Sequence, residues 1–236
     1  MSDNLTRCHR PAIATKVPDG SLPESRIERL TRWLPNERIT PEAYFLPYVQ
    51  ALFSSLPAGP LGLVLDGSTV GRGCLALGGS VVYPKRALPL GWIVVAGQQG
   101  PLLETVPAPL VEQVAAFLPA GRPVLFLGDG DLDGISLLSA VSKQGGPFGC
   151  RPAQNSVVWE GDQALRLSWL TLEPGQAVAL EHVCFTQAGF GPVLWVACWD
   201  PPYTAPLYLV SNLELWQEAL WWDKQRFQIE AINRAK

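Results

Sequence analysis

Three carboxylates carry the main chemical signal in this sequence. Asp66 closes the apolar run LGLVL at 61–65, and Asp129 follows VLFL at 124–127 after a single glycine. Each run is short, continuous and apolar, which fits a strand buried on both faces. If two such strands share one sheet and one sense, the residues that end them meet at one edge. The carboxyl ends of strands are where open α/β sheets place ligands. The third carboxylate, Glu230, stands in the C-terminal helical stretch QRFQIEAINRAK. Converging carboxylates repel one another and resist ionisation unless a cation joins them. With two Mg²⁺ ions about 4 Å apart they form a clamp for phosphoryl transfer, one ion activating water or a 3′-hydroxyl and the other stabilising the leaving oxygen. An oxygen-only ligand set suits hard cations, Mg²⁺ first and Mn²⁺ as a substitute.

Simpler readings exist for each residue. An Asp after a strand is commonly a turn or helix-cap residue. Glu230 follows Arg226 at i+4, the spacing of an exposed helical ion pair. Asp131 and Asp133 compete with Asp129 within GDGDLDG.

Composition narrows the alternatives. The 236 residues are 47% hydrophobic and 17% charged, a core-forming globular composition. The 22 glycines and 22 prolines imply many turns. Cys8, Cys74, Cys150, Cys184 and Cys198 are odd in number and lack C-x-x-C spacing, which supports neither a zinc site nor a disulfide framework. Only His9 and His182 are available for histidine chemistry, and His182, inside VALEHVCF, reads as a hydrogen-bonded strand residue. No run of 18 apolar residues exists, so no membrane span is expected. The N-terminus lacks the apolar core of a secretory signal, so a cytoplasmic location is expected.

The elements that must position the carboxylates can be read from periodicity. Residues 1–58 form a helical segment. SRIERLTRWL at 25–34 sets Ile27, Leu30, Trp33 and Leu34 against a face with Arg26, Arg29 and Arg32. A second helix opens at Pro41 and is interrupted at Pro47. Residues 59–236 form an α/β core. Its first three strands cover 61–65, 74–83 and 87–95 and are expected to be antiparallel, with a turn at Pro84-Lys85-Arg86. A crossover helix at 103–118 precedes the strand at 124–127. A helix at 134–143 closes on Gly145-Gly146 before a strand at 148–151. Residues 152–206 read as a β-rich insertion (SVVWEG, ALRLSWLTL, AVALEHVCF, PVLWVACW). A strand at 207–210 then leads into a capping box, Ser211 to Glu214, opening a helix that runs to Lys236.

The blocks LVLDGSTVGRGC, YPKRALPLGWIVV, VLFLGDGDLDG and LYLVSNLELWQEALWWDKQRFQIE, in this order, resemble the DDE transposases of bacterial insertion sequences. They are most similar to the group whose last catalytic helix carries Tyr-x-x-Arg-x-x-x-Glu followed by a Lys. The resemblance implies a ribonuclease H-like mixed sheet flanked by helices, with a β-rich insertion between the second and third acids. It implies metal-dependent endonuclease cleavage of DNA at the element's ends, then transfer of the 3′-hydroxyl to target DNA. Asp66, Asp129 and Glu230 take the catalytic and metal-binding positions. Arg226 takes the position of the family's Arg, suited to bidentate phosphate contact, and Arg151 matches a basic residue at the end of the strand after Asp129. Lys236 stands one position short of the family's Lys and is assigned to DNA contact with them. The Tyr position holds Asp223, with Trp222 beside it. Family members continue beyond this helix, so the alternative is a truncated copy, inactive or weakly active, that competes as a DNA-binding or dimerising fragment or has no function.

The net charge of −3 argues by itself against a nucleic-acid partner. Its distribution reverses that. Between Pro152 and Leu220 one basic residue, Arg166, faces seven acidic ones, so the remainder of the chain is net positive. The stretch 7–38, with Arg26, Arg29 and Arg32, reads either as a solvated helix face or as a contact to the phosphates of terminal DNA. The expected partner is double-stranded DNA, transposon ends and target, bound by a homodimer in association with the nucleoid. Trp159, Trp169, Trp195 and Trp199 read as core of the insertion, with an exposed one available to stack on an unpaired base.

Overall fold

The computed structural model describes residues 10–71, 73–83, 86–96, 107–115, 118, 121–128, 132–201 and 203–233, with backbone alone at 41–42, 70–71, 86, 107–109, 113, 168 and 227–233. It divides into two compact units, Met1–Pro57 and Ala58–Lys236.

The first unit is helical: α1 (Arg10–Ala14), α2 (Pro23–Trp33), α3 (Pro41–Tyr44) and α4 (Leu46–Ser55). The expected break near Pro47 falls earlier, at Phe45. Pro47 lies in the first turn of α4, where a missing N–H costs nothing. Helix α2 likewise opens on a proline, Pro23. Its loop lead-in is held by Asp19, whose carboxylate accepts from the Ser21 backbone N–H (3.1 Å) and from Arg26 Nε (2.9 Å) and pairs with Arg29.

The second unit is built on one ten-stranded mixed sheet. Its strands are β1 (Leu61–Gly71), β2 (Cys74–Tyr83), β3 (Arg86–Ala96), β4 (Val124–Gly128), β5 (Phe148–Cys150), β6 (Val157–Glu160), β7 (Gln163–Arg166), β8 (Ala177–Phe185), β9 (Phe190–Cys198) and β10 (Leu207–Ser211). Their order across the sheet is β3-β2-β1-β4-β5-β10-β9-β8-β6-β7. β1, β2 and β3 pair antiparallel, while β4 lies parallel to β1 and β5 parallel to β4. The turn residues Pro84 and Lys85 lie outside the described residues. Helices α5 (Pro107–Ala115) and α6 (Ile135–Lys143) follow β3 and β4. Leu110 and Val114 of α5 pack where Gly79 and Gly91 clear the sheet surface.

The stretch read as an insertion supplies β6 to β9. These strands continue the central sheet, because β9 pairs with β10 and β10 with β5. ALRLSWLTL is not one strand: β7 ends at Arg166 and a 3₁₀ turn, Leu167–Trp169, follows. His182 is in β8 but is exposed, with φ 57°, where the β8–β9 register shifts, so it sits on a bulge rather than in a regular ladder position.

Helix α7 (Trp216–Asn233) lies across the face opposite α5. The expected capping box does not form. Ser211 is the last residue of β10, and its buried hydroxyl donates to the Phe148 carbonyl (2.5 Å) and accepts from Leu213 N–H (3.1 Å). The helix starts five residues later. Ala219 and Leu220 pack on Leu194, Val196, Cys198 and Leu209, and Trp222 packs on Val64, Leu125 and Leu127. Gly62 permits that approach, since a Cβ there would lie 2.9 Å from the Trp222 ring.

Candidate active site

Strand β1 changes character at Asp66. Residues Leu61 to Leu65 are buried, and Asp66 to Thr69 are exposed. The strand does not end there as the sequence predicted. Pairing with β2 continues to Gly71, so Asp66 sits in mid-strand opposite Gly78. Side chains alternate along a strand, and the ladder between Val64 and Asp66 is regular. Asp66 therefore shares the sheet face of Gly62 and Val64, the face covered by α7.

β1 and β4 run side by side in the same sense, pairing Leu61 with Val124 through Val64 with Leu127. Asp129 and Asp131 lie outside the described residues, as does Lys236. Glu230 falls within α7, where only the backbone is described. Among the described residues no three His, Cys, Asp or Glu side chains are grouped to hold a metal. Asp133 serves the loops. Its carboxylate accepts from the Ala153 backbone N–H (3.1 Å), tying the loop after β4 to the loop after β5.

The arginines assigned to DNA are placed as follows. Arg151 follows β5, and its backbone N–H donates to the Gly128 carbonyl (3.2 Å) at the end of β4. Its guanidinium grips Asp223 of α7 with two hydrogen bonds, Nε to Oδ1 at 2.8 Å and Nη2 to Oδ2 at 2.6 Å. Arg226, one turn further along α7, is 4% exposed, with Nε 3.7 Å from Asp223 Oδ1. Asp223 itself is 3% exposed. The acid standing where the resemblance expects Tyr is thus buried between two cations and does not present its charge to a ligand. Trp222 points to the sheet instead, with Trp221 exposed beside it. In the sequence, Asp223 reads only as a departure from the family pattern. The one available clue is a carboxylate set after two tryptophans on a core-facing helix, with an Arg three residues on.

In the helical unit, Arg26 and Arg29 converge on Asp19, while Arg32 is exposed and makes no ion pair among the described residues. The hydrogen bond from the Ser21 hydroxyl, followed by that from Arg29, holds the Asp19 carboxyl well below its ordinary range. The three arginines, with Trp33 and Asn36, line a cleft of about 620 Å³. Of the four tryptophans in the insertion, Trp195 is fully buried and Trp159 and Trp199 partly so. Trp169 is 67% exposed with the Arg166 guanidinium 5.5 Å from its ring centroid, a cation–π contact.

No protein-family model matches the chain, and no curated protein matches it in sequence. Among solved structures, the fold is similar to a piggyBac transposase in a synaptic complex with hairpin DNA, with a TM-score of 0.53 and 11% identity over 89% of this chain. The chain spans half the length of that transposase chain. Human endonuclease V aligns more loosely, with a TM-score of 0.34 and 14% identity over 76% of this chain and 86% of that one. The 3-2-1-4-5 strand order, the parallel β1, β4 and β5 and the helices on both faces define an α/β protein with a ribonuclease H-like mixed sheet. That fold is shared with the piggyBac transposase. Among the described residues no helix is long and apolar enough to cross a membrane.

Proposed function

We propose that this chain is a divalent-metal-dependent DNA-cleaving and strand-transferring enzyme of the DDE transposase kind, with Asp66, Asp129 and Glu230 as its catalytic carboxylates. One observation carries the reading. Along the parallel β1–β4 ladder each residue of β1 faces the residue 63 positions later, and 63 is also the separation of Asp66 and Asp129. The register that pairs the two buried strands is therefore the register that would pair their acids. The DNA-bound state of the piggyBac transposase, which shares the fold, supports the choice of substrate.

Asp66 suits a cation ligand. It lies where β1 passes from buried to exposed, so a hard ion can reach its oxygens without desolvating the core. Asp129 and Glu230 add oxygen donors and no competing soft ligand. When bound, Mg²⁺ or Mn²⁺ supplies Lewis-acid polarisation of the phosphate and an acidified water or 3′-hydroxyl. The protein itself must hold α7, and so Glu230, against the sheet. Trp222 on Gly62 and Asp223 on Arg151 hold the first half of α7 there, and Glu230 lies about two turns further along the same helix. The partner is double-stranded DNA, element ends and target, held by a homodimer.

Purified protein should nick supercoiled plasmid with Mg²⁺ or Mn²⁺ and not with EDTA, and D66N, D129N and E230Q should each abolish the nicking. Equal nicking by wild type and D129N would sink the assignment. A second reading, a DNA-binding competitor without cleavage, is favoured by the capture of Arg151 by Asp223, which diverts a guanidinium from phosphate. It predicts DNA binding with no metal-dependent nicking.

A further inference from the structure

Strand β8 is paired fully along one edge and only in part along the other. It runs beside β9 from Ala177 to Phe185. On its other side β6 pairs only with Cys184 and Phe185. β6 ends at Glu160, and the chain turns back at Gly161 (φ 59°) into β7. Among the described residues no strand pairs with this second edge at 177–180. The Trp199 backbone N–H donates to the Gln176 carbonyl (2.9 Å), which sets the phase of the β8–β9 ladder. Hydrogen-bonded pairs alternate along an antiparallel ladder, so Ala177 and Ala179 turn their N–H and C=O groups away from β9. Val178, between them, is 38% exposed. The surroundings are acidic. Glu160 and Asp162 stand at the β6–β7 turn, Glu181 at the end of the free stretch and Glu173 in the turn before it. All four are exposed, and none makes an ion pair among the described residues. Arg166, the one basic residue between Pro152 and Leu220, pairs with Val157 at the far end of the β6–β7 hairpin.

Backbone groups left on a sheet edge are completed by another extended chain, and the charges beside the edge decide which chain. A second copy pairing edge to edge would bring two sets of these carboxylates together. A DNA backbone would be repelled by them. A basic polypeptide meets neither obstacle. We propose that the edge of β8 at 177–180 is a docking site for a basic, extended segment of a partner protein, which adds a strand there beside the β6–β7 turn. Side chains alternate along a strand, so apolar residues of the segment cover Val178 and Leu180 on one face. Its lysines or arginines reach Glu181, Glu160 and Asp162. This surface goes beyond the DNA-cleaving reading, since β5, β10 and β9 separate β8 from β4 in the sheet.

The probe is a fluorescein-labelled short peptide of alternating Lys and Val, with binding to the full chain read by fluorescence anisotropy at low salt. Two control peptides carry Pro in place of each Val, which cannot donate to a ladder, or Glu in place of each Lys. Wild type should bind the Lys–Val peptide and neither control. A179P removes an outward-facing N–H and spares the bonds to β9, so it should weaken binding about fivefold, the order of one hydrogen bond. E160K/D162K/E181K should weaken it about tenfold, and that loss should shrink at high salt. If A179P fails to fold by circular dichroism, A177P decides, because proline is accepted at the first residue of a strand. The proposal is overturned if wild type binds no peptide, or binds either control as well as the Lys–Val peptide. It is also overturned if a folded proline variant or the triple charge reversal binds like wild type. A dimer in sedimentation that the proline variant separates would give the edge to a second copy and overturn it too.

Discussion

Arg151, at the end of β5, and Asp223, on α7, are joined by two hydrogen bonds across 72 residues of sequence. This pair fixes the last helix to the carboxyl end of the parallel strands. It also makes Asp223 an internal counter-ion, enclosed between Arg151 and Arg226.

D223A should be strongly destabilising, by about 3 kcal/mol in urea denaturation, because it strips buried Arg226 of a neighbouring carboxylate and Arg151 of two hydrogen bonds. R151A should cost less, since the Arg151 side chain is 29% exposed and Asp223 keeps Arg226 nearby. The double change R151A/D223A should cost less than the sum of the two single losses, because each change removes the other residue's partner. Additive losses in the double variant would show that the two residues act independently.

The contact of Gly62 with Trp222 should tolerate no added atom. G62A should lower stability by about 1–3 kcal/mol through overpacking, and combining it with W222F should restore part of this, a coupling visible in a double-mutant cycle. G62A equal in stability to wild type would place the helix further from the sheet.

Asp19 sets a pH dependence in the helical unit. Its carboxyl is held below the ordinary value of 3.8 by the Ser21 hydroxyl and Arg29, so the folded state favours the ionised form. The resulting stability is complete above that value and fades as pH falls below it. The difference in melting temperature between wild type and D19N should be present at pH 7 and shrink as the pH drops below about 4. A difference independent of pH would assign the effect to packing.

Ser211 and Glu214 separate the expected helix cap from the observed strand tie. S211A should cost about 1–2 kcal/mol, since it removes a buried hydroxyl with two partners. E214A, whose side chain is exposed, should leave stability unchanged. Equal losses from both would restore the capping box.

Much of the fold was legible because its signals are local. Apolar runs between turn residues located β1 to β5 and β10, and Pro41 located the start of α3. The misreadings share a cause. Ser211 matched a cap motif, but its hydroxyl is claimed by Phe148, 63 residues away. Asp66 ended an apolar run, yet its strand continues because β2 supplies a pairing partner out to Gly71.

The sequence by itself determined which acids are candidates, how the buried strands are spaced along the chain and that the charge is unevenly spread, since residue type and order encode these directly. Only the tertiary structure decided the parallel register of β1 on β4, the burial of Asp223 between Arg151 and Arg226, and the free edge of β8 at 177–180. Each depends on which distant segments pair, and pairing is settled by the packing of the whole sheet and its covering helix, which no local pattern specifies.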